Sequence, residues 1–402
     1  MKYIVMLGDG MADEPIEALG GLTPLEKADT PNLDELAKVS EIGMVATIPP
    51  GMAPGSDTAN LSVIGYNPEQ YYTGRSPLEA LSIGVPMKDT DVALRCNLVT
   101  LSEDEDRYEE RIMIDHSSGE ISTEEAKILI SAVAEAFQNE TYQFYPGTSY
   151  RHCVIWAGGR VVNLTQPHDI LGRRIGELLP LDDVLRDMEK RSYDILLHHP
   201  VNEKRRAEGR NTANSIWFWG AGTRPQLSSF YEKYGKRGLM ISAVDLLKGI
   251  AVGIGMDTCV IPGANGGLDT NYKGKAQAAV DAVLKDGYDL AYIHLEAPDE
   301  MGHQGSIERK ILAIENMDKL MIGLIREQMD ASGEDYRLIV LPDHPTPIRL
   351  RTHVSDPVPY LLYDSTAPQS NTWKYNEREA AVSGHFIQRG HELMDYFLET
   401  SR

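Results

Sequence analysis

The stretch that decides the fold reads LAYIHL at residues 290–295 and LIVL at residues 338–341, with a longer amphipathic segment between them. Each short apolar run has the pattern of a buried strand. The segment 307–328 keeps Ile, Met and Leu at helical spacing. Strand, helix and strand in this order form a β-α-β unit with a right-handed crossover. The sequence therefore predicts an α/β fold with a mostly parallel sheet flanked by helices.

Another buried strand is predicted at the amino terminus, where residues 3–7 are apolar and Asp9 follows them directly. In parallel sheets, ligands bind in the crevice beyond the carboxyl ends of the strands. Asp9 falls at such an end, as do the charged residues that follow the two strands of the β-α-β unit. We therefore expect this edge of the sheet to carry the chemistry.

The pattern changes in the middle of the chain, where apolar runs become shorter and residues 103–111 are highly charged. A helix is predicted over 122–137, with capping-box spacing between Ser122 and Glu125. We expect an inserted α+β domain here. The expected boundaries are residues 1–90 and 210–402 for the sheet-bearing domain and residues 91–209 for the insert.

Composition excludes several classes of protein. With Lys+Arg 39 against Asp+Glu 60, the formal net charge of −21 argues against nucleic acid or an anionic membrane as a partner. The values of 42% hydrophobic and 25% charged residues are those of a folded protein. Neither a signal peptide nor an uncharged membrane span is indicated. The cysteines Cys96, Cys153 and Cys259 indicate no disulfide framework, so we expect a cytoplasmic protein.

Asp and His residues recur after the predicted strands. Singly, each could be a helix cap, a solvated turn residue or a hydrogen-bonded core histidine. Together they would form a costly cluster of negative charge unless a cation neutralised it, and such ligands suit zinc, manganese and similar ions. The sequence thus predicts two adjacent metal sites. The candidate ligands are Asp9, Ser56, Asp299, His303, Asp343, His344 and His353.

Ser56 is the candidate nucleophile, because it lies in a Gly-Ser-Asp-Thr loop after a proline-rich turn. A serine hydroxyl is a poor nucleophile near neutral pH, whereas a bound divalent cation stabilises the alkoxide. The alternative is an N-cap serine, since a helix-compatible segment follows. Both roles are compatible, because a helix amino terminus also favours an arriving phosphate.

These motifs resemble those of the alkaline-phosphatase metalloenzyme superfamily, and the resemblance spans nearly the whole chain. The superfamily motifs are Asp9-Gly10, the loop 55–60, Asp299 with His303, Asp343-His344 and His353. A closer resemblance links the chain to the archaeal-type cofactor-independent phosphoglycerate mutases. It rests on Tyr72-Thr73-Gly74-Arg75, Arg95-Cys96-Asn97, Tyr150-Arg151-His152 and Arg351-Thr352-His353.

The resemblance implies a reaction and a ligand set. A phosphoryl group would move between the 3- and 2-hydroxyls of glycerate through phosphorylated Ser56, without 2,3-bisphosphoglycerate as cofactor. Two divalent ions are implied, with Mn²⁺ expected and Mg²⁺, Co²⁺ or Zn²⁺ as alternatives. One ion would lie on Asp9, Ser56, Asp343 and His344, and the other on Asp299, His303 and His353. Pro345 departs from the glycine or serine that other branches commonly carry after the His344 position.

A mutase must also hold glycerate while its phosphate is on the enzyme, and bidentate arginine matches a carboxylate best. The candidates are Arg95 and Arg151 in the insert, with Lys275 as a further positive charge. His152 is the candidate base for the accepting hydroxyl. The alternative for Arg151 and His152 is a solvated strand edge.

Three other functions remain open at this point. Relatives of this branch have been proposed as homoserine kinases, so the same core could take phosphate from ATP. Plain phosphomonoester hydrolysis would result if water cleared the phosphoserine. A non-catalytic, acidic metal-binding or scaffold protein would bind cations without ever carrying phosphate on Ser56.

Overall fold

The computed structural model describes residues 1–398, and the chain divides into two units. The first unit comprises Met1–Tyr72 and the chain from Leu227 onward. The second comprises Thr73–Gln226 and interrupts the first.

The second unit is longer at both ends than the expected insert of residues 91–209. Residues 73–90 and 210–226 belong to it, although they were expected in the sheet-bearing domain. The reason is packing: the helix Arg75–Ser82 lies against the strands Val92–Leu101 and Ser215–Thr223.

The described residues form strands and helices that we number along the chain. The strands are β1 (Lys2–Gly8), β2 (Glu41–Val45), β3 (Val92–Leu101), β4 (Met113–Asp115), β5 (Tyr142–Tyr145), β6 (Arg151–Trp156), β7 (Ser215–Thr223), β8 (Gly238–Ile241), β9 (Asp257–Thr258), β10 (Leu290–Leu295), β11 (Tyr336–Leu341), β12 (Val358–Asp364) and β13 (Phe386–Ile387). The α-helices are α1 (Pro24–Lys27), α2 (Pro31–Ala37), α3 (Ser56–Val63), α4 (Pro68–Tyr71), α5 (Arg75–Ser82), α6 (Thr123–Phe137), α7 (Asp183–Leu196), α8 (Pro200–Ala207), α9 (Phe230–Tyr234), α10 (Asp245–Gly253), α11 (Tyr272–Leu284), α12 (Ala297–His303), α13 (Ile307–Met317), α14 (Gly323–Ser332), α15 (Glu377–Val382) and α16 (Leu393–Leu398).

The first unit is built on an eight-stranded sheet with the order β13-β2-β12-β11-β1-β10-β8-β9. Neighbouring strands run parallel, except that β12 is antiparallel to both β11 and β2. The central strands β1, β10 and β11 are apolar and almost wholly buried, as expected where helices cover both faces of a parallel sheet. The predicted mostly parallel α/β fold is confirmed.

The β-α-β unit predicted from the sequence is formed by β10, the helices α12 to α14, and β11. The segment predicted as one helix over 307–328 is α13 and α14 joined by a π-helical turn, and it continues to Ser332. Ile314, Met317 and Met321 are buried in the core, which accounts for the helical spacing seen in the sequence.

The second unit is an antiparallel sheet in which β3 lies between β6 and β7, with β5 beyond β6 and β4 at the far end of β3. The helices α6 and α7 pack on one face, where Leu129 and Leu185 join Leu94 in one apolar cluster. Ser122 Oγ accepts the N–H of Glu125 at 3.2 Å at the start of α6, as the capping pattern predicts. This unit is of the α+β class.

Within residues 1–398, none of the helices combines the length and the apolar character needed to cross a bilayer.

Candidate metal centre

The carboxyl ends of neighbouring parallel strands bring the acidic residues of the first unit together. Asp9 follows β1, and Asp343 follows β11. Leu7 of β1 lies in register with Leu341 on one side and with His294 of β10 on the other. Because these strands end at the same edge of the sheet, the side chains that follow them point into one crevice.

Asp9 is buried in this crevice, and only one of its two carboxylate oxygens has a hydrogen bond among the described residues. Its Oδ2 lies 3.0 Å from His294 Nε2, whereas Oδ1 is buried without a hydrogen-bond partner among the described residues. Burial, followed by the charges of Asp343 and Asp299, raises the pKa of Asp9 well above its usual value. A carboxylate in such surroundings is unfavourable unless a cation compensates it. The unpaired Oδ1 is a ready position for a cation ligand.

Asp343 is fully buried, and hydrogen bonds to both of its carboxylate oxygens fix its orientation. Its Oδ1 accepts the backbone N–H groups of Gly10, at 3.1 Å, and His344, at 2.9 Å. Its Oδ2 accepts from Asn60 Nδ2 at 2.9 Å. The same amide nitrogen donates to the carbonyl oxygen of Ser56 at 2.9 Å. Asn60 therefore ties the start of helix α3 to the carboxylate.

Ser56 is the first residue of α3, and its hydroxyl points to the acidic crevice. Ser56 Oγ lies 3.2 Å from His344 Nε2 and 3.5 Å from Asp9 Oδ2. The N-cap position is occupied by Gly55, so the alternative reading of Ser56 as an N-cap is wrong. The hydroxyl does not cap α3 and instead contacts two of the candidate ligands.

A second group of ligand atoms surrounds Asp299, which lies on α12 one turn before His303. Asp299 Oδ2 is 3.1 Å from His303 Nε2, and Oδ1 is 3.5 Å from His353 Nε2. The two imidazole Nε2 atoms lie 3.0 Å apart. His303 Nδ1 lies 2.9 Å from the carbonyl oxygen of Arg351, so Nδ1 carries a hydrogen. When His303 is neutral, its Nε2 lone pair points at Asp299 and His353, the arrangement of a metal ligand.

Asp299 and His303 shift each other's pKa values in opposite directions. Burial would raise the pKa of Asp299, but hydrogen bonds with His303 and His353 lower it well below its usual value. The hydrogen bond with Asp299 raises the pKa of His303 to about 9. A bound cation would replace the proton that His303 otherwise holds.

His344 lies between the two groups. Its Nε2 is 3.4 Å from Asp343 Oδ2 and 3.5 Å from Asp9 Oδ1, and its ring centroid is 4.0 Å from that of His353. Thr346 Oγ1 donates to Asp299 and lies 3.3 Å from His344 Nδ1. Since the threonine hydrogen goes to the carboxylate, His344 Nδ1 carries a hydrogen and Nε2 keeps its lone pair.

The donor atoms thus fall into two sets that fit divalent cations, within each of which they lie no more than 4.8 Å apart. The sets are Asp9, His294 and Asp343, and Asp299, His344 and His353. All seven ligands expected from the sequence therefore lie in or beside one crevice. The division differs from the one implied by the resemblance, because His294 joins the first set and His344 joins the second.

Pro345 is held by two backbone contacts. Met11 and Pro345 form an antiparallel bridge, and the carbonyl oxygen of Pro345 accepts the N–H of Val354 at 3.1 Å. These contacts place the loop that carries His353 beside the residues that follow Asp9.

Lys275 lies in the first unit, whereas Arg95 and Arg151 belong to the second. It is fully buried on α11, where its Nζ donates to the carbonyl oxygen of His294 at 3.2 Å. Burial lowers the pKa of Lys275 to about 8. Its hydrogen bond is with the backbone of the strand that carries His294.

Arg95 and Arg151 share one face of the second unit's sheet. Arg95 pairs with Cys153, and Asn97 pairs with Arg151, in adjacent antiparallel strands, so the two arginine side chains point the same way. The Arg95 guanidinium stacks on Trp219 at 4.1 Å from the ring centroid. Burial lowers the pKa of Arg95 to about 10, partly offset by Glu79.

His152 points to the opposite face. Because side chains alternate along a strand, His152 lies on the side of Val154 and Cys96, which belong to the apolar cluster beneath α6 and α7. It is 5% exposed, and burial lowers its pKa to about 3. Its Nδ1 accepts the N–H of Gly147 at 3.1 Å. The structure separates His152 from Arg95 and Arg151, so it does not support the expected role as a base on substrate.

The structure adds four residues that shape the crevice. Gly10 and Asn60 lie in the quoted motifs without an assigned role, whereas His294 and Thr346 lie outside those motifs. Two of them left a signal. Asn60 lies one helical turn after Ser56, and His294 is a histidine inside an otherwise apolar predicted strand. The role of Thr346 depends on contacts between distant segments, which no local pattern reports.

Known proteins are similar to this chain over nearly its whole length. A family model described as 2,3-bisphosphoglycerate-independent phosphoglycerate mutase matches residues 37–202. A protein of that name from Methanosarcina barkeri is 48% identical over 389 residues, 96% of each chain. The solved structure of a Pyrococcus horikoshii protein has a TM-score of 0.83 at 30% identity, over 100% of this chain and 98% of the other. That of a cofactor-independent phosphoglycerate mutase from Thermoplasma acidophilum has a TM-score of 0.68 at 25% identity, over 99% of each.

Proposed function

The chain belongs to the family of 2,3-bisphosphoglycerate-independent phosphoglycerate mutases, and we propose that it interconverts 3-phosphoglycerate and 2-phosphoglycerate through phosphorylated Ser56. Such an enzyme is an isomerase, since substrate and product contain the same atoms. The observation that carries the proposal is the position of Ser56 Oγ, 3.2 Å from His344 Nε2 and 3.5 Å from Asp9 Oδ2. The hydroxyl therefore lies beside two of the candidate ligands.

Two divalent cations would be held beside this hydroxyl. The proposed ligands are Asp9, Ser56, Asp343 and His344 for one ion, and Asp299, His303 and His353 for the other. When bound, the cations offset charge on the phosphoryl oxygens and stabilise the serine alkoxide. We propose Mn²⁺ as the ion, with Mg²⁺, Co²⁺ and Zn²⁺ as the alternatives for reconstitution, because mixed Asp and His donors suit all of these ions to different degrees.

The chain's own residues orient the nucleophile. Asn60 holds the carbonyl group of Ser56, which fixes the first turn of α3. Thr346 fixes the tautomer in which His344 Nε2 has a lone pair available for the cation, and Ser56 Oγ lies 3.2 Å from that atom. The helix amino terminus at Ser56 also favours an arriving phosphoryl group.

Arg95 and Arg151 are the proposed ligands of the glycerate carboxylate. Support comes from their common face of the sheet and from the stacking of Arg95 on Trp219, which pre-orients the planar guanidinium. Retaining glycerate and excluding water prevents hydrolysis of the phosphoserine. His152 is not kept as the base for the accepting hydroxyl, because it faces the apolar cluster beneath α6 and α7. Lys275 is not kept as a substrate ligand, because it is fully buried and donates to the backbone of β10.

The test compares Ser56→Ala with Ser62→Ala, a matched control in the same helix whose hydroxyl is buried and has no hydrogen-bond partner among the described residues. With Mn²⁺ present and 2,3-bisphosphoglycerate absent, formation of 2-phosphoglycerate should fall at least about a thousandfold in Ser56→Ala. Ser62→Ala should stay within a few fold of wild type, and mass spectrometry should find phosphate on Ser56 of the working enzyme.

The products that the wild-type protein forms from each substrate separate the other functions. Full turnover by Ser56→Ala would overturn the proposal. Release of inorganic phosphate in place of 2-phosphoglycerate would indicate a phosphomonoesterase, and phosphorylation of homoserine by ATP would indicate a kinase.

The partner of this protein is a small phosphorylated molecule, and we propose that it acts in the cytoplasm without a nucleic-acid or membrane partner. Support comes from the net charge of −21 and from the free state of all three cysteines in the structure.

A further inference from the structure

His294 is a buried histidine that the ligand set implied by the family resemblance does not include. It lies on β10 between β1 and β8 and is 0% exposed. Its Nε2 is 3.0 Å from Asp9 Oδ2, and its donor atom lies within reach of those of Asp9 and Asp343. These distances allow two roles for His294. It could be a third ligand of the cation, or it could orient Asp9.

The hydrogen bonds at the other ring nitrogen distinguish these roles. Ser242 Oγ lies 3.3 Å from His294 Nδ1 and accepts the N–H of Val244 at 3.0 Å. In the described part of the chain, Nδ1 is the one hydrogen-bond acceptor in reach of the Ser242 hydroxyl hydrogen. The serine therefore donates to Nδ1, and a neutral His294 carries its hydrogen on Nε2. A protonated Nε2 has no lone pair for a cation.

The opposite partner requires the same tautomer. An ionised Asp9 carboxylate can only accept hydrogen bonds, so the 3.0 Å contact at Oδ2 needs a hydrogen on His294 Nε2. This contact occupies Oδ2 and leaves the buried Oδ1 without a hydrogen-bond partner among the described residues. The carboxylate is thus held with one defined oxygen free.

The backbone around His294 is fixed as well. Its neighbour strand β1 pairs Leu7 with His294, one register position before Gly8 and two residues before Asp9. The buried Lys275 donates to the carbonyl oxygen of His294 at 3.2 Å. The imidazole is therefore presented to Asp9 from a rigid position.

We propose that His294 is a positioning residue, which holds Asp9 through a Ser242–His294–Asp9 chain of hydrogen bonds so that Oδ1 faces the cation, and which does not itself bind the cation. Partners of this kind around a metal ligand typically change metal affinity 10–100-fold when removed. The inference rests on the proposed function, because it presumes that Asp9 binds a divalent ion.

The test uses the full-length protein and three variants, namely His294→Leu, His294→Gln and Ser242→Ala. Leu removes the donor with similar volume, whereas the Gln amide can place an N–H near the position of Nε2. Mn²⁺ is titrated calorimetrically into the metal-free proteins, bound metal is counted by elemental analysis, and the unfolding temperature of each metal-free variant is recorded as the control for folding.

We expect wild type to bind two Mn²⁺ ions. His294→Leu should still bind two at saturation, with affinity for one of them weakened about 10–100-fold. His294→Gln should recover most of this loss, and Ser242→Ala should lose a smaller part of the affinity. The visible absorption of bound Co²⁺ at saturation should be the same in His294→Leu and wild type, because the ligand set is unchanged.

Two results would overturn the inference alone, given a wild type that binds two ions. The first is an unchanged Mn²⁺ affinity in His294→Leu. The second is a loss of one ion in both His294 variants with an altered Co²⁺ spectrum, which would make His294 a ligand. If His294→Leu does not fold, Ser242→Ala decides the matter by the same affinity criterion. A wild type that binds no Mn²⁺ would overturn the proposed function together with the inference.

Discussion

At the residue scale, Gly10 has a steric role that its small size makes easy to overlook. It has a φ of +59°, and a Cβ at this position would lie 2.4 Å from Asp299 Oδ1 and 2.5 Å from Thr346 Oγ1. Only a residue without a Cβ leaves room here for the side chains of Asp299 and Thr346. A glycine here satisfies both the left-handed backbone and the close contact.

Gly10→Ala is expected to lower Mn²⁺ affinity and kcat/KM at least about tenfold, since the methyl group displaces two oxygen atoms of the crevice. The control is Gly20→Ala, which has a φ of +71° but no heavy atom within 4 Å of the new Cβ. It should cost only about 1 kcal/mol of backbone strain and leave metal binding unchanged. Equal effects of the two substitutions would show that strain alone is responsible.

Glu377 gives a pH-dependent prediction away from the metal ligands. Its carboxylate accepts the N–H of Asp13 and the hydroxyl hydrogen of Thr23, and burial raises its pKa from 4.5 to about 7. Between these pH values the folded protein binds more protons at this site than the unfolded chain does. The contribution of Glu377 to stability is therefore present at low pH and is lost as the pH rises through about 7.

Glu377→Gln removes this titration while keeping an oxygen for the Asp13 N–H. The free energy of unfolding of wild type, relative to the variant, should fall by up to about 3 kcal/mol between pH 4 and pH 8. Urea unfolding across this range measures it. A difference that stays constant with pH, or rises, would contradict the argument.

At the element scale, helix α13 holds together the two loops that carry ligands. Lys310 of α13 is fully buried, and its Nζ donates to Asp13 Oδ2 at 2.8 Å and to the carbonyl oxygens of Ala12, at 3.2 Å, and Thr346, at 2.9 Å. One ammonium group thus links the loop after β1 to the loop after β11. The sequence offered no sign of this, because Lys310 reads as part of the polar face of an amphipathic helix.

Lys310→Met should destabilise the protein by about 3–5 kcal/mol, because it leaves the buried Asp13 carboxylate without its partner. Urea unfolding of the metal-free protein provides the measurement, with the exposed Lys319→Met as the control for loss of a positive charge. A loss below about 1 kcal/mol, the range of surface ion pairs, would show that the buried pair contributes little.

The elements also show where prediction from the sequence succeeded. The runs at 290–295 and 338–341 are strands because their apolar residues are buried on both faces, so composition alone marks them. The register that sets His294 beside Leu7 depends on the pairing of two distant strands, and no local sequence pattern predicts it. Alternation along β6 did contain the information that His152 faces away from Arg151, since adjacent residues in a strand point to opposite faces.

At the scale of the whole molecule, the fold class and the acidic crevice followed from the sequence, whereas the unit boundaries did not. The chain passes from one unit to the other at Tyr72–Thr73 and at Gln226–Leu227, and neither position lies in a low-complexity linker. Helix α5 joins the second unit through packing on β3 and β7, which depends on contacts between distant residues. Boundaries of this kind cannot be read from composition.

The central claim is that distant segments of the chain bind two divalent cations beside the hydroxyl of Ser56. Anomalous X-ray scattering from crystals grown with Mn²⁺ tests it most directly. We predict two manganese peaks, one in contact with Asp9 Oδ1 and Asp343 and the other in contact with Asp299 and His353, with Ser56 Oγ adjoining the first. A crevice without anomalous density at saturating Mn²⁺, or a single ion remote from Ser56, would contradict the account.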